Sequence, residues 1–267
     1  MVNVPLVRPR AVLFDWDNTL VDTWPCIHAA LNATFRAMGH PEQTFDEFRA
    51  SLGPSMRDSF PQTFGDRWME ARDVFYASFA AVHLQMLRVM PGAESLLVRL
   101  REWNLYAAIV SNKIGDHLRQ EVEHLGWGGH FGRIVGALDA ERDKPAADPA
   151  VMALAGSGIE PGEHVWFVGD GFTDMECAHA SGCLPVLVRA SAPEEGEFGT
   201  HPPRRHVADC QGVADLLHQA LTLPPASEDK GERRVMPAVV SNDRWSPQRG
   251  PALLRRKPSA RTGAPGD

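Results

Sequence analysis

The sequence predicts an α/β protein: a doubly wound, mostly parallel sheet with an all-helical segment inserted near its start and a disordered C-terminal tail. Three observations carry this expectation. Short apolar runs alternate with stretches of helical spacing from residue 11 to about residue 221, the order of strands and helices that builds a parallel sheet. Three of the runs end in carboxylate or hydroxyl residues, and in such a sheet the carboxyl ends of the strands share one edge, where ligands sit. Residues 23 to 88, between the first run and the second, carry helical patterns only.

The elements follow in order. Ala11 to Phe14 is a short apolar run suited to a buried parallel strand. Thr23, Trp24 and Pro25 present a capping residue with proline near the first helical position, and Ile27, Leu31, Phe35 and Met38 keep helical spacing up to a stop at Gly39. Gly53, Pro54, Ser55, Met56 and Arg57 form a loop-like break. Trp68, Phe75, Phe79, Val82 and Met86 then mark one helical face, expected to be core. Pro91–Gly92 returns the chain to the main domain, where Leu96, Leu97, Leu100 and Trp103 predict a helix and Leu105 to Val110 a strand. Leu118, Val122 and Leu125 give a helix closed by Gly126, and Ile134–Val135 a short strand. Asp148–Pro149 reads as a cap followed by proline, ahead of a helix through Val151, Met152 and Leu154. A strand over Val165 to Val168, a helix over 173 to 181 and a strand over Leu184 to Val188 complete the alternation. Residues 189 to 205 read as an irregular loop flanked by solvent-facing His201 and His206, and Val213, Leu216, Leu217 and Leu221 as a last helix. Beyond Pro224 the chain is rich in Pro, Arg, Ser and Gly without period, hence the expected disorder. The expected domains are 1–22 with 89–223, the helical segment 23–88, and the tail 224–267.

The 267 residues suffice for a sizeable core. The net charge of −7 is unevenly spread: residues 225 to 267 hold nine basic and five acidic side chains, so that stretch carries +4 and the remainder −11. An acidic body argues against nucleic acid as its partner. Four cysteines, Cys26, Cys177, Cys183 and Cys210, have neither CxxC nor zinc spacing and fit a reducing compartment. With no run near ~18 apolar residues and no apolar leader before Asp15, a cytoplasmic protein is expected.

The chemistry is concentrated at the run ends. Asp15 and Asp17 close the first run, Ser111 and Asn112 the second, and Asp170 and Asp174 the third; Lys144–Pro145 opens a segment leading into a helix. Two carboxylates this close raise each other's pKa unless a cation compensates. A hard divalent ion such as Mg2+ takes a few carboxylate oxygens plus waters and is the simplest compensator. No HExxH, Walker-type loop or dinucleotide fingerprint offers a rival chemistry.

Over residues 10 to 210 this ordered set, Asp-x-Asp, Ser, Lys and Gly-Asp-x-x-x-Asp, resembles the haloacid dehalogenase-like (HAD) hydrolase superfamily and its Rossmann-like core. Any one motif alone is weak; the ordered set is specific. The resemblance implies a phosphatase with Asp15 as the nucleophile that forms an aspartyl-phosphate and Asp17 as the general acid/base. It implies that Ser111, Asn112 and Lys144 bind the phosphoryl group. It places Mg2+ on Asp15, the Asp17 carbonyl and Asp170, with Asp174 ligating through water or orienting Lys144. Dehalogenases of the superfamily lack an aspartate at the Asp17 position, so Asp17 with Asp170 favours a phosphatase or phosphotransferase. Asn18 departs from the family's commoner glycine.

The helical insert resembles the cap of the family's first subclass, which favours a small phosphorylated metabolite as substrate. The chain looks most similar to phosphoglycolate phosphatases. Arg57, after the Gly53–Pro54 break, is a candidate for binding a substrate carboxylate or second phosphate, or else a solvated cap residue. A sugar-phosphate mutase of the same fold and a non-catalytic protein acting through the basic tail are the alternatives. The spelling leaves open a monomer or a dimer and the tail's partner.

Overall fold

A computed structural model describes residues 6–51 and 56–222, with side chains 56–58 left aside. The strands are β1 (Ala11–Phe14), β2 (Val21–Asp22), β3 (Arg88–Val89), β4 (Tyr106–Ile114), β5 (Arg133–Ala137), β6 (Val165–Gly169), β7 (Leu184–Val188) and β8 (Arg205–Val207). The helices are α1 (Trp24–Met38), α2 (Phe45–Ala50), α3 (Met56–Phe64), α4 (Trp68–Met86), α5 (Ala93–Glu102), α6 (Gly115–His124), α7 (Asp148–Leu154), α8 (Phe172–Ser181) and α9 (Cys210–Thr222).

Six parallel strands order as β5-β4-β1-β6-β7-β8. β1 is central because all four of its side chains are apolar and none is exposed. Val12 and Phe14 pack with α5, α6 and α9, whereas Ala11 and Leu13 pack with α7 and α8. Both faces are thus covered by helices, and the order reverses at β1, whose neighbours β4 and β6 run on to opposite edges. Helices α1, α3 and α4 share an apolar cluster of their own, built on Cys26, Ala30, Phe35, Phe60, Phe64, Phe75 and Phe79. The chain enters and leaves this helical segment through β2 and β3, which pair antiparallel as a two-stranded ribbon, Val21 opposite Val89 and Asp22 opposite Arg88.

Several expectations need correction. β4 does not stop at Val110 but runs to Ile114, so Ser111 and Asn112 lie within it; a register shift between Val110 and Ile114 against β5 carries the extension. The stretch read as a loop up to 205 ends in the edge strand β8, where His206 Nε2 is 2.8 Å from the Arg189 carbonyl and half-buried rather than facing solvent. His201 likewise packs edge-on against Phe172 and His179. Thr23 makes no side-chain cap; instead Asp22 accepts from the Trp24 amide at 3.1 Å. Asp148 is the first helical residue of α7, and its carboxylate is engaged by Arg142 at 2.8 Å. α2 was not foreseen, although Thr44 and Glu47 form a full capping box at its start. The break at 53–55, the Arg57 side chain and the tail from 223 onward lie outside the described residues.

Candidate active site

Strand alternation sets out the first motif. Trp16 turns into the core, edge-on to Trp127 at 5.9 Å, while Asp15 and Asp17 on either side of it line a cavity of about 500 Å³. The turn that follows has Asn18 at φ 59°, the left-handed region that asparagine tolerates and most residues avoid, which accounts for a non-glycine there. β4 contributes Ser111, Asn112 and Lys113, the β5–α7 connection contributes Lys144, and the β6–α8 turn contributes Asp170 and Asp174; all line the same cavity. The six motif positions expected to converge are therefore brought together from β1, β4, the β5–α7 connection and β6.

Lys144 is the hub. Its buried ammonium donates to Asp15 Oδ1 at 2.6 Å and to Asp174 Oδ1 at 2.7 Å. Its backbone is clamped by Asn112, whose amide nitrogen donates to the Lys144 carbonyl at 2.9 Å and whose oxygen accepts from the Lys144 amide at 3.0 Å. The Asn112 side chain, expected on the substrate, thus holds the lysine loop. Asp174 Oδ2 accepts from Gly171 N at 3.1 Å, so both its oxygens are engaged, and it also serves the start of α8. Gly169 is needed there: a Cβ at that position would collide with the Asp174 carboxyl group. Ser111 Oγ accepts from the Lys113 amide at 3.2 Å, which leaves its hydroxyl proton to donate into the cavity.

Burial pushes the Asp15 carboxyl up to about 7; Lys144 opposes the rise, and Asp174 and Asp17 add to it. Asp170 is raised well above the usual carboxylate range by burial, then by Asp174 and Asp15. Burial alone would lower Lys144, but Asp15 and Asp174 outweigh it and raise it. Among the described residues, five carboxylates, those of Asp15, Asp17, Glu121, Asp170 and Asp174, meet two ammonium groups, Lys113 and Lys144. Oxygens of Asp15, Asp170 and Asp174 lie within 4.8 Å of one another. This all-oxygen donor set with excess negative charge fits a hard divalent cation.

Four participants escaped the sequence reading. Lys113 Nζ is 2.7 Å from Asp17 Oδ1 and donates to Glu121 Oε2 at 2.6 Å. Trp16 Nε1 donates to that same Glu121 oxygen at 2.6 Å, and His83 Nδ1 lies 2.7 Å from Glu121 Oε1. The available signal was phase: Glu121 falls on the apolar stripe of α6, beside Leu118 and Val122, and His83 continues the four-residue spacing of Phe75 and Phe79. The outer wall of the cavity comes from the helical segment, as Trp24, Ile27, Phe75, Tyr76 and Phe79, with His117 of α6.

A fold of this topology with a DxD strand end, a clamped lysine and a carboxylate cluster defines a class, and the comparisons agree with it. Residues 12–188 match the family model for haloacid dehalogenase-like hydrolases, and the chain belongs to that family. It is 28% identical over 247 residues to phosphoglycolate phosphatase 1 of Pseudomonas aeruginosa, covering 87% of this chain and 89% of that protein. It is also 28% identical over 217 residues to a 5'-nucleotidase of the same bacterium, covering 79% and 96%. Among solved structures, a HAD-superfamily hydrolase from Ehrlichia chaffeensis superposes with a TM-score of 0.57 at 29% identity, covering 81% of this chain and all of that one. The chain is a HAD-type phosphoric monoester hydrolase. Among the described residues no helix is long and apolar enough to cross a membrane.

Proposed function

We propose that the chain is a Mg2+-dependent phosphatase that hydrolyses a small phosphorylated metabolite through an aspartyl-phosphate on Asp15. The observation that carries this is the pairing of Asp15 with Lys144 at 2.6 Å while its other oxygen keeps no protein partner among the described residues. That free oxygen is the nucleophile. Lys144 and the Ser111 hydroxyl bind phosphoryl oxygens and offset their charge. Asp17, past the strand end, gives its proton to the leaving oxygen and later takes one from the attacking water. Asp15 and Asp170, whose oxygens cluster with those of Asp174, would hold Mg2+, with the Asp17 carbonyl as the further ligand the family resemblance implies; when bound it would neutralise both the phosphoryl group and the carboxylate cluster. Asp174 keeps Lys144 in place. Residues 23–88 act as a cap, with β2 and β3 as the crossing between it and the core. A reducing compartment such as the cytoplasm suits four cysteines that are all unpaired and buried.

Phosphoglycolate is the first substrate to test, in line with the named relatives. Its carboxylate needs a cation, and among the described residues lining the cavity Lys113 and Lys144 are each already held between two carboxylates. Arg57 is the proposed source. The aromatic wall of Trp24, Phe75, Tyr76 and Phe79 favours a second reading, a nucleoside 5'-monophosphate whose base stacks there. Turnover of both substrates with and without Mg2+ separates the two. Phosphoglycolate preference that Arg57→Ala removes through KM supports the first; nucleotide preference that Tyr76→Ala removes supports the second. Free phosphate as product distinguishes either from a mutase, and full activity after chelation would defeat the metal-dependent mechanism.

A further inference from the structure

We propose that Lys113, Glu121 and His83 are positioning residues that tie the aim of the Asp17 carboxyl group to the seating of α4. The inference rests on the phosphatase reading, in which Asp17 is the acid/base. Glu121 is the anomaly that points to it. Its side chain has no exposure, yet it does not line the cavity and can touch no substrate. A carboxylate is tolerated so deep only when every oxygen is paired. Here three donors converge on it from three elements: Lys113 of β4 and Trp16 beside β1 on Oε2, and His83 of α4 on Oε1. Since a carboxylate only accepts, His83 Nδ1 carries the hydrogen.

What Glu121 achieves is seen in Lys113. A lysine ammonium on its four-carbon stem is mobile by itself. Glu121 at 2.6 Å, Asp17 at 2.7 Å and the face of Phe79 at 5.3 Å fix it from three sides. So fixed, it holds Asp17 Oδ1 by an ion pair at 2.7 Å, outside hydrogen-bond geometry, and the Asp17 carboxyl group lines the cavity where the leaving group would sit. In the reaction an Asp15 oxygen bonds to phosphorus, the bond from phosphorus to the leaving oxygen breaks, and the Asp17 proton moves to that oxygen. The far end of the device belongs to the helical segment: Phe75, Phe79 and His83 recur every four residues on α4, and the first two line the cavity. The helix face that meets the leaving group therefore also anchors Glu121, so correct seating of α4 and correct aim of the acid come together.

The test uses two substrates that differ in their need for a proton. The p-nitrophenolate of p-nitrophenyl phosphate leaves unaided, whereas an alkoxide such as that of glycerol 2-phosphate does not. Wild type, Glu121→Gln, His83→Leu and His83→Asn are compared by kcat and KM on both. Expected is a fall in the alkyl-to-aryl kcat ratio of ~10–100-fold for Glu121→Gln, part of the ~10²–10⁴ that a general acid contributes. His83→Leu should show a smaller fall in the same ratio, and His83→Asn, which keeps a donor near the Nδ1 position, should restore it. In metal-free protein the Trp16 indole N–H resonance, assigned with Trp16→Phe, should move in both Glu121→Gln and His83→Leu. Equal losses on both substrates, or none on either, would reduce the network to support of the fold. If Glu121→Gln does not fold, the His83 pair decides alone. A wild type that hydrolyses neither substrate with any divalent cation overturns the phosphatase reading and this inference with it; an active wild type with unmoved ratios overturns the inference only.

Discussion

Asp15 and Asp17 sit two residues apart, yet each is held by a different lysine, and the proposed roles follow from that difference. Asp15 shares the Lys144 ammonium with Asp174, whereas Asp17 shares Lys113 with Glu121. Replacing Asp15 by Asn removes the nucleophile and should abolish both turnover and a trappable phosphoenzyme. Asp17→Asn should still form that intermediate but lose ~10²–10⁴ in kcat on an alkyl phosphate. A phosphorylated peptide mapped to any residue other than Asp15 would reverse the assignment. The charge imbalance gives a second expectation. Without a cation, Asp15 rises to about 7 in the folded protein from 3.8, so the folded state binds more protons than the unfolded one across that interval. Stability from this group is therefore full below ~4 and is lost as pH rises through ~7. Asp170 shifts in the same direction. Added Mg2+ replaces those protons, so its thermal stabilisation should be larger at pH 8 than at pH 5.5, at about 2–4 °C per kcal/mol of binding. Equal melting shifts at the two pH values would separate the metal from these carboxylates. Asp15, Asp17 and Asp170 stand out in the sequence because carboxylates ending apolar runs are costly, whereas Lys144 is marked only by its place in the ordered motif set, a lone lysine reading as surface. Lys113 was not legible, since a lysine after Ser-Asn reads as surface; only the helical phase of Glu121 marks it as buried.

At the scale of elements, the sheet order could be anticipated because each strand is a short apolar run between helical periods. Its limits were harder to read, and for a physical reason. β4 continues through Ser111, Asn112 and Lys113, polar residues that sequence pattern assigns to a turn; its pairing with β5 lapses across them and resumes at Ile114 opposite Ala137, which keeps the stretch between extended. β8 is an edge strand with basic and histidine side chains, the composition that keeps edges from pairing further and also hides them from pattern reading. The β6–α8 junction shows how one small residue places a proposed site residue. Gly169 ends β6 with no room for a methyl group, because the Asp174 carboxyl group packs against it on the way to Lys144 and the Gly171 amide. Gly169→Ala should therefore displace α8 and loosen Lys144. We expect kcat to fall at least tenfold while the melting temperature drops by only a few degrees, a methyl-sized overpacking costing ~1–3 kcal/mol. Wild-type kcat in a folded Gly169→Ala protein would mean that the Asp174–Lys144 contact is dispensable.

For the whole molecule, every proposed site residue lies between Asp15 and Asp174, and the family match ends at residue 188. The stretch 225–267 contributes charge: without it the formal net charge goes from −7 to −11. That change acts on encounter rather than on chemistry. A phosphate dianion approaching a more acidic body meets greater repulsion, and the repulsion reaches only about a Debye length, ~10 Å at 0.1 M salt. Removing residues 225–267 should therefore leave kcat and the melting temperature unchanged. It should lower kcat/KM at low ionic strength and bring it back to the full-length value above ~0.15 M salt. The comparison is a salt series of kcat/KM for both lengths of chain with one dianionic substrate. If kcat itself falls, or if kcat/KM stays low at high salt, residues 225–267 take a direct part in the site, and the division between a catalytic body and a separate basic tail has to be given up.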